Sequence, residues 1–482
     1  MEAKARSLIT NKSIKVVSFD VFDTLLDRPV LKPTDIFYLV EKKVRSYLDN
    51  DPNFPFTEIR ISAEKRAREK LKKDFPTYQD INFDEIYYQF QEITGLSHDQ
   101  VENIKALELE VELKYLAPKK SVQLLYKLAV KHRKKIVILS DVYLPGEFLI
   151  KALKKNGYRD IDRYFVSSEL RLTKVSGDLY PLMLKSMGVS PKEVVHIGDN
   201  KKADIRKANA LAIQTVHIPK AVDLFFGGKC VDHIIWEGKL VILEPSMKII
   251  LGFIINKHFT TFPKGGWNNK SLFNGNEFLL GYYGVGPMML MLVIWIIQHA
   301  KNNKVDVIAF AARDGYIPLK IFKMLEPLYD TLPEAIYLRA SRSTCIPFDI
   351  CTKADAFHAL SCAHFNPDAT ALEVLKRRYY LNVTDEIIKH FLDYNIDLDK
   401  PVIDKDAFID ACLALGEPLL DGLKQQRELA TEYYSEIFQD KKKIAIFDIG
   451  YRGRVQKSFS KYLDKDILGL YFSCFHEMAS FD

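Results

Sequence analysis

The chain has 482 residues, of which 48% are hydrophobic and 27% are charged, and its formal net charge is +6. At about 150 residues per domain, this length predicts a globular protein of roughly two to four domains, each able to bury a core. A net charge this small for the length indicates a soluble protein and gives no sign of nucleic-acid binding.

The six cysteines are scattered without a C-x-x-C pair, and the eleven histidines show no ligand spacing. This pattern favours free thiols in a reducing compartment over disulfides or a zinc site. The segment Met1 to Lys15 is polar and charged, without the apolar stretch of a secretory signal. We therefore expect a cytoplasmic protein.

One uncharged stretch, from Phe278 to Ile297, has twenty residues, about the length that spans a bilayer. Its first half contains three glycines and Pro287, which are residues that break helices. We therefore predict a buried core helix over Met288–Ile297 and at most peripheral contact with a membrane.

The N-terminal part begins with an apolar run from Val16 to Leu26 that indicates a buried strand ending in an acidic loop. Strand and helix patterns alternate again from residue 136 to about residue 220. The predicted strands cover 136–139, 164–166, 194–197 and 214–216, and the predicted helices cover 146–156, 179–187 and 202–209. This alternation predicts an α/β fold with a parallel, doubly wound sheet.

Residues 33–116 carry apolar side chains at spacings of three and four, which is typical of helices. We predict an all-helical insertion over about residues 30–117. Its basic stretch from Lys65 to Lys73 is interrupted by Glu69 and preceded by Glu64. Such a mixed run favours a solvated helix face over a phosphate-binding surface.

Candidate catalytic residues, the candidate substrate-binding residue Thr24 and a candidate metal ligand stand in the loops of this α/β pattern, and open α/β sheets bind ligands at the carboxyl ends of their strands. In chain order they are Asp20 with Thr24, Ser140, Lys174, and Asp199 with Asp204. These four groups resemble the four motifs of the haloacid dehalogenase (HAD) superfamily, with a helical cap inserted after the first motif. The resemblance covers about residues 12–220 and implies a HAD-like phosphatase domain over 1–220.

In that family the first aspartate is a nucleophile, so the resemblance implies that Asp20 attacks phosphorus and forms an aspartyl phosphate. Ser140 and Lys174 would bind the phosphoryl oxygens, and Lys174 would also shield negative charge as the nucleophile approaches. Asp204 would orient Lys174 or a metal-bound water.

The resemblance also implies a Mg²⁺ ion held by Asp20, Asp199 and the main-chain carbonyl of Phe22, since this hard cation prefers oxygen ligands. Position 22 departs from the family pattern, because HAD phosphatases usually carry their general acid there. Asp23 or a cap residue would supply the proton instead, and both alternatives stay open. Dehalogenases of the superfamily also lack the second acid. They need no metal-binding aspartate, however, so the presence of Asp199 in this chain favours a phosphatase.

The region 221–275 contains Gly227-Gly228 and Pro263-Lys264-Gly265-Gly266 between apolar pieces, and we predict a linker there. Residues 276–482 begin a second α/β pattern. Its predicted strands cover 305–310, 334–338, 443–448 and 468–472, with a helical insertion over about 355–438.

Three of these strands end in arginine-rich loops. The loops contain Arg313, Asp314 and Gly315, then Arg339 and Arg342, then Asp448, Gly450, Tyr451, Arg452, Gly453 and Arg454. Glycine lets the backbone approach a ligand closely, and arginine binds phosphate in bidentate fashion, so together they predict a diphosphate-bearing ligand. Any one loop alone would be explained as an ordinary strand-to-helix turn, and no P-loop motif occurs.

The order of these loops resembles a type I phosphoribosyltransferase. The segment Arg313-Asp314-Gly315 is similar to that family's pyrophosphate loop, and 448–454 is similar to its loop for the 5-phosphate and ribose of phosphoribosyl diphosphate (PRPP). One acid, Asp448, stands where the family usually has two, and arginines replace its threonine-rich segment. The resemblance implies that Arg313, Arg339 or Arg342 neutralises departing pyrophosphate and that Asp314 or Asp448 is the base.

The combination of both parts resembles the bifunctional bacterial ribofuranosyltransferase-phosphatases of capsule and O-antigen synthesis. It implies transfer of 5-phosphoribosyl from PRPP to a glycan, which can be lipid-linked, followed by removal of the 5-phosphate. Expected partners are other polysaccharide-assembly enzymes at the inner face of the cell membrane.

Two alternatives remain. The first is a sugar-phosphate or nucleotide phosphatase with a nucleotide-sugar-binding or regulatory second domain. The second is a scaffold of a polysaccharide assembly whose HAD domain is weakened by Phe22.

Overall fold

The computed structural model describes residues 2–48, 51, 53–226, 244–259, 273, 275–340, 342–361, 368–450, 453–463 and 465–473. The chain forms two compact units, Met1–Leu280 and Gly281–Asp482. Both are built on parallel sheets, as the alternation of strand and helix patterns predicted.

The first unit is organised around a five-stranded sheet. The strands of this sheet are β1 (Val16–Phe19), β4 (Lys135–Ser140), β5 (Arg163–Val166), β6 (Val194–Gly198) and β7 (Gln214–His217). The short strands β2 (Leu26–Asp27) and β3 (Ala117–Pro118) form a separate pair. The sheet order is β5-β4-β1-β6-β7, and every neighbouring pair is parallel. All four residues of β1 are buried, because helices cover both faces of a parallel sheet.

The helices around this sheet are Glu2–Thr10, Lys120–Lys131, Gly146–Lys155, Ser167–Leu170, Leu179–Met187 and Ala208–Ala210. Of these, Gly146–Lys155 and Leu179–Met187 match predicted helices. The predicted helix over 202–209 differs, because Lys201–Lys207 forms a π-helical turn. Asn200 begins this turn, with its side chain accepting hydrogen bonds from the amides of Lys202 and Ala203. Wide turns of this kind occur often at functional sites.

The insertion is helical, as predicted, and a short antiparallel pair of β2 with β3 forms its base. Its helices are Pro33–Ile36, a 3₁₀ turn, followed by Phe37–Tyr47, Phe56–Asp74, Phe83–Thr94 and His98–Tyr115. The basic stretch Lys65–Lys73 lies on the exposed side of its helix. We call this insertion the cap.

A buried ion pair crosses the interior of the cap. Arg60 Nε donates to Glu108 Oε2 at 2.8 Å, and both side chains are 0% exposed. The hydroxyl of Tyr87 donates to the same carboxylate at 2.7 Å. The Arg60 guanidinium also lies 5.0 Å from the ring centroid of Tyr143, which follows β4, so this cluster joins the cap to the sheet.

The region predicted as a linker contains two described helices, Ala221–Phe226 and Pro245–His258, within the first unit. Gly252 lies so close to the chain that a Cβ there would be 2.5 Å from the backbone of Val30. The Gly227-Gly228 and Pro263–Gly266 segments lie outside the described residues.

The second unit contains a four-stranded parallel sheet. Its strands are β8 (Val307–Ala311), β9 (Glu334–Leu338), β10 (Lys443–Asp448) and β11 (Asp466–Tyr471). Their order is β11-β10-β8-β9, so the chain changes direction across the sheet between β8 and β10. Ligands of open α/β sheets bind at such a switch point.

The described helices of the second unit agree with the predicted helical stretches except at Arg342–Asp349, where a loop was predicted. They are Gly286–Asn302, Tyr316–Leu325, Arg342–Asp349, Lys353–Ser361, Ala371–Tyr379, Asp385–Asp393, Lys405–Ala414, Glu417–Ile437 and Arg454–Tyr462. The middle helices enclose a hydrophobic cluster of their own, which includes Leu375, Phe391, Phe408 and Leu423.

The uncharged stretch forms a longer helix than predicted. A helix over Glu277–Asn302 is long and apolar enough to cross a membrane, and 17% of its most apolar window is buried. Pro287 lies at the second position of the α-helical part Gly286–Asn302, directly after a π-helical stretch over Leu280–Val285, and the helix continues through it. The prediction of a buried core helix holds for Leu292–Ile297, whereas Met288 is exposed.

We expect Arg60→Leu to lower the free energy of unfolding by about 3–5 kcal/mol, because it leaves the Glu108 carboxylate buried without its cation. Urea unfolding followed by circular dichroism would measure this. Arg66→Leu on the exposed side of the same helix is the control and should change the value by less than about 0.5 kcal/mol. Equal effects of the two substitutions would contradict the stabilising role of the ion pair.

Candidate active site

A buried lysine joins two carboxylates at the edge of the first sheet. Lys174 Nζ donates to Asp20 Oδ1 at 2.6 Å and to Asp204 Oδ1 at 2.7 Å. Lys174 is 2% exposed and Asp204 is 0% exposed. Since a buried charge is costly unless it is paired, the three side chains hold one another in place.

The sheet register explains why the predicted residues meet. Phe19 of β1 pairs with Ile138 of β4 and with Ile197 of β6. The next residue after Phe19 is Asp20, so it lies at the same edge as Ser140 and Asp199. The parallel strands therefore bring residues that are far apart in the sequence to one edge of the sheet.

These residues line a cavity of about 170 Å³. Of the residues predicted from the four motifs, the lining contains Asp20, Phe22, Asp23, Ser140, Lys174, Asp199 and Asp204. Thr24 is fully buried, and its hydroxyl donates to Asp199 Oδ1 at 3.4 Å. This hydrogen bond orients the Asp199 carboxylate.

The loop that carries Lys174 is fixed from the neighbouring strand. Asp141, directly after β4, accepts hydrogen bonds from the backbone amides of Lys174 at 2.8 Å and Val175 at 3.1 Å. The lysine backbone is therefore positioned independently of its ammonium group.

Asp204 is held as an anion by its surroundings. Its Oδ1 lies 3.2 Å from His196 Nε2, and its Oδ2 accepts the amide of Asn200 at 2.9 Å. Burial raises the pKa of Asp204, but the charges and hydrogen bonds of Lys174 and His196 outweigh burial, so the pKa lies well below its ordinary value.

Asp20 and Asp199 behave in the opposite way. Burial is the main reason why the pKa of each carboxyl lies above its ordinary value, although Lys174 partly offsets this at Asp20. Oxygen atoms of Asp20, Asp199 and Asp204 lie within 4.8 Å of one another. A divalent cation would favour the charged forms of Asp20 and Asp199, and these oxygen donors suit a hard cation such as Mg²⁺.

A second lysine, which sequence reasoning missed, lines the same cavity. Lys220 Nζ lies 2.9 Å from Asp23 Oδ2 and 3.2 Å from Asp199 Oδ2. Asp23 has a φ of 58°, a left-handed conformation that aspartate tolerates. Lys220 stands three residues after β7, so the rule that ligands bind at strand ends could have identified it.

The cap contacts the Lys174 loop through Gln79, which sequence reasoning also missed. Gln79 Oε1 accepts hydrogen bonds from the Thr173 amide at 2.8 Å and from the Ser176 hydroxyl at 2.7 Å. Its Nε2 donates to Asp178 at 2.5 Å. No sequence motif identifies such a residue, because its hydrogen-bond partners in the Lys174 loop come close only when the cap packs against that loop.

In the second unit, the switch point lies between two of the predicted loops. Arg313 and Asp314 are exposed after β8, and Asp448 ends the neighbouring strand β10. Gly315 is required there, since a Cβ would lie 2.6 Å from the carbonyl carbon of Phe310. The Gly450 amide donates to Asp448 Oδ1 at 3.2 Å, which closes the turn after β10.

The other predicted residues of this unit are placed as follows. Arg339 is exposed directly after β9, and Arg342 begins a helix. Gly453 has a φ of 56°, and Arg454 Nε lies 3.4 Å from Asp349 Oδ2. Tyr451 and Arg452 lie outside the described residues.

Comparison with known proteins identifies the first unit. The family model of haloacid dehalogenase-like hydrolases matches residues 14–211. This part of the chain is a HAD-like hydrolase domain. A search of curated proteins gives no significant match to the chain.

The solved structures that resemble this chain cover less than half of it. A 2-haloacid dehalogenase of Pseudomonas syringae pv. Tomato DC3000 is 18% identical, covers 42% of this chain and 86% of its own, and has a TM-score of 0.33. A HAD family enzyme of Bacteroides thetaiotaomicron, in complex with magnesium and inorganic phosphate, is 18% identical. It covers 43% of this chain and 95% of its own, with a TM-score of 0.29.

We expect Gln79→Ala to speed hydrogen exchange at the Thr173 amide, because it removes that amide's acceptor. The loss of a hydrogen bond worth about 1 kcal/mol predicts roughly a fivefold faster rate. Exchange followed by mass spectrometry over residues 171–178 would measure it. Gln91→Ala, which removes a hydrogen bond inside the cap, is the control. Unchanged exchange in Gln79→Ala would show that the cap does not hold this loop.

Proposed function

We propose that the first unit is a Mg²⁺-dependent phosphatase that hydrolyses phosphate monoesters. The observation that carries this proposal is the buried Lys174 between Asp20 and Asp204, in a cavity that Asp199 also lines. The arrangement places a nucleophilic carboxylate beside a fixed cation, which is the requirement for attack on an anionic phosphoryl group.

The chain's own residues account for the first chemical step. An Asp20 oxygen attacks phosphorus in line, and the bond from phosphorus to the ester oxygen breaks with its electron pair on the leaving group. Lys174 and Ser140 bind the phosphoryl oxygens. Water then cleaves the aspartyl phosphate and releases inorganic phosphate, which regenerates Asp20.

Asp20, Asp199 and the main-chain carbonyl of Phe22 would hold Mg²⁺, which when bound neutralises charge on the phosphoryl oxygens. The same donor set supports a phosphatase over a dehalogenase, because displacement of halide from carbon has no need of Asp199. Asp23 lines the cavity, and its hydrogen bond from Lys220 shows how its carboxylate is held.

Asp20→Asn should lower phosphatase activity by about 10⁴-fold or more, since it removes the nucleophile. Release of inorganic phosphate from 4-nitrophenyl phosphate and from sugar phosphates, with Mg²⁺ present, measures the effect. Asp74→Asn at the exposed end of a cap helix is the control and should keep full activity. Hydrolysis that persists in Asp20→Asn would contradict this mechanism, and a wild-type protein without turnover would favour a scaffold.

For the second unit, the proposal is transfer of 5-phosphoribosyl from PRPP to a glycan hydroxyl. Support comes from the switch point, where the Arg313 loop and the Asp448 turn follow neighbouring parallel strands. The bond from the anomeric carbon to pyrophosphate breaks, and the acceptor oxygen bonds to that carbon. Its proton passes to Asp314 or Asp448, while Arg313, Arg339 or Arg342 neutralises the pyrophosphate.

The two activities would act in sequence on one glycan, in a type I phosphoribosyltransferase-like unit and then in the phosphatase unit. Removal of the 5-phosphate leaves ribofuranose and makes the transfer effectively irreversible. The proposed setting is the cytoplasm, at the inner face of the membrane, with a lipid-linked or growing polysaccharide and other assembly enzymes as partners. The exposed apolar residues Phe278 and Met288 support peripheral membrane contact.

Incubation with PRPP, Mg²⁺ and a panel of bacterial glycans tests the transfer. Asp448→Asn should abolish release of pyrophosphate, whereas Asp20→Asn should release pyrophosphate and accumulate a phosphoribosylated glycan. Pyrophosphate, inorganic phosphate and product mass would be followed separately. If pyrophosphate never appears while sugar phosphates are hydrolysed, the second unit has another role, such as nucleotide-sugar binding or regulation.

A further inference from the structure

Position 22, where HAD phosphatases usually carry their general acid, holds a phenylalanine in this chain. Phe22, two residues after Asp20, is one of the residues that line the cavity, and its side chain has no acidic proton. When the ester bond breaks, negative charge develops on the leaving oxygen, and a poor leaving group needs a hydrogen-bond donor there. Lys174 contacts Asp20 and Asp204 on the nucleophile's side, and in the proposed mechanism its remaining N–H binds a phosphoryl oxygen.

Lys220 is the second ammonium group of the cavity lining. Its Nζ lies 2.9 Å from Asp23 Oδ2 and 3.2 Å from Asp199 Oδ2. An ammonium group carries three donors, so a third remains for a ligand in the cavity. The side chain is 39% exposed, which places the group at the open side of the cavity.

Hydrogen bonds hold the backbone around Lys220 against the active-site loops. His217 Nε2 lies 2.8 Å from the carbonyl oxygen of Asp199, and the Ile218 amide donates to the Gly198 carbonyl at 2.8 Å. Lys119, which is 1% exposed, donates to the carbonyl of Asp23 at 2.8 Å and to that of Pro219 at 3.5 Å. This buried lysine ties the Asp23 turn to the residue before Lys220.

We propose that Lys220 is a catalytic residue that donates a hydrogen bond to the leaving-group oxygen of the phosphate ester, in place of the acid absent at Phe22. This role rests on the proposed phosphatase activity. Asp23 anchors the ammonium. When the P–O bond breaks, its electron pair stays on the leaving oxygen, and the hydrogen bond from Lys220 stabilises that oxygen. The oxygen then takes a proton from water at the open side, and the hydroxide left behind is neutralised by the proton released when water cleaves the aspartyl phosphate.

This role predicts a dependence on the leaving group that a structural role would not produce. A stabilising donor matters most when the leaving oxygen is strongly basic, as in an alkyl phosphate such as ribose 5-phosphate. It matters little for 4-nitrophenyl phosphate, whose leaving oxygen is stable as an anion. A residue that only supports the fold or the metal site would affect both substrates alike.

The experiment compares kcat/KM of Lys220→Met with that of the wild-type full chain on both substrates. We expect a loss of about 10²–10³-fold on ribose 5-phosphate and less than about fivefold on 4-nitrophenyl phosphate. Lys220→Arg, which keeps a donor, should recover part of the ribose 5-phosphate activity. Lys192→Met is the matched control, since this exposed lysine lies just before β6, at the opposite end from the cavity.

Calorimetric titration of Mg²⁺ into each variant, together with circular dichroism, separates this role from changes in metal affinity or folding. Equal losses on both substrates, at saturating Mg²⁺ and with folding intact, would overturn the role of Lys220. Wild-type protein that hydrolyses neither substrate would instead overturn the phosphatase function, and the role of Lys220 with it.

Discussion

The ammonium group of Lys174, buried between Asp20 and Asp204, is the interaction on which the active site depends. A buried charge is tolerated only when its partners are fixed, and the surrounding structure supplies that fixation. The central strand β1 delivers Asp20, the turn after β6 delivers Asp204, and Asp141 holds the lysine backbone. The parallel sheet and its loops thus hold Lys174 and its two carboxylate partners at fixed positions.

Local sequence patterns were sufficient to predict the parallel sheet, because apolar runs bounded by turns identify buried strands. They also brought together Asp20, Lys174 and Asp199, since strand ends meet at one edge of a parallel sheet. Lys220 and Gln79 escaped notice for different reasons. Only tertiary packing brings Gln79 to the Lys174 loop, so no local pattern identifies it. Lys220 follows β7 by three residues, and the same rule of strand ends, applied to β7, would have included it beside Asp23 and Asp199. The uncharged stretch was misjudged because glycine and Pro287 were expected to end a helix that in fact continues.

The two units differ in how far sequence leads toward function. In the first, four short motifs specify interacting side chains, and the geometry ties each one to a partner. In the second, the strand order gives a switch point of the kind at which open α/β sheets bind ligands, but many chemistries share that arrangement. Side chains such as Arg313 and Arg339 lie exposed at the ends of their strands, and no described contact ties them to a particular ligand.

The hydrogen bonds of Gln79 make the order of one loop depend on a residue of another part of the chain. Gln79 accepts the Thr173 amide and the Ser176 hydroxyl, so the loop of Lys174 is held partly by the cap. A change that loosens the cap at Gln79 therefore also removes hydrogen bonds from the loop that carries Lys174, and local opening of the two segments is coupled.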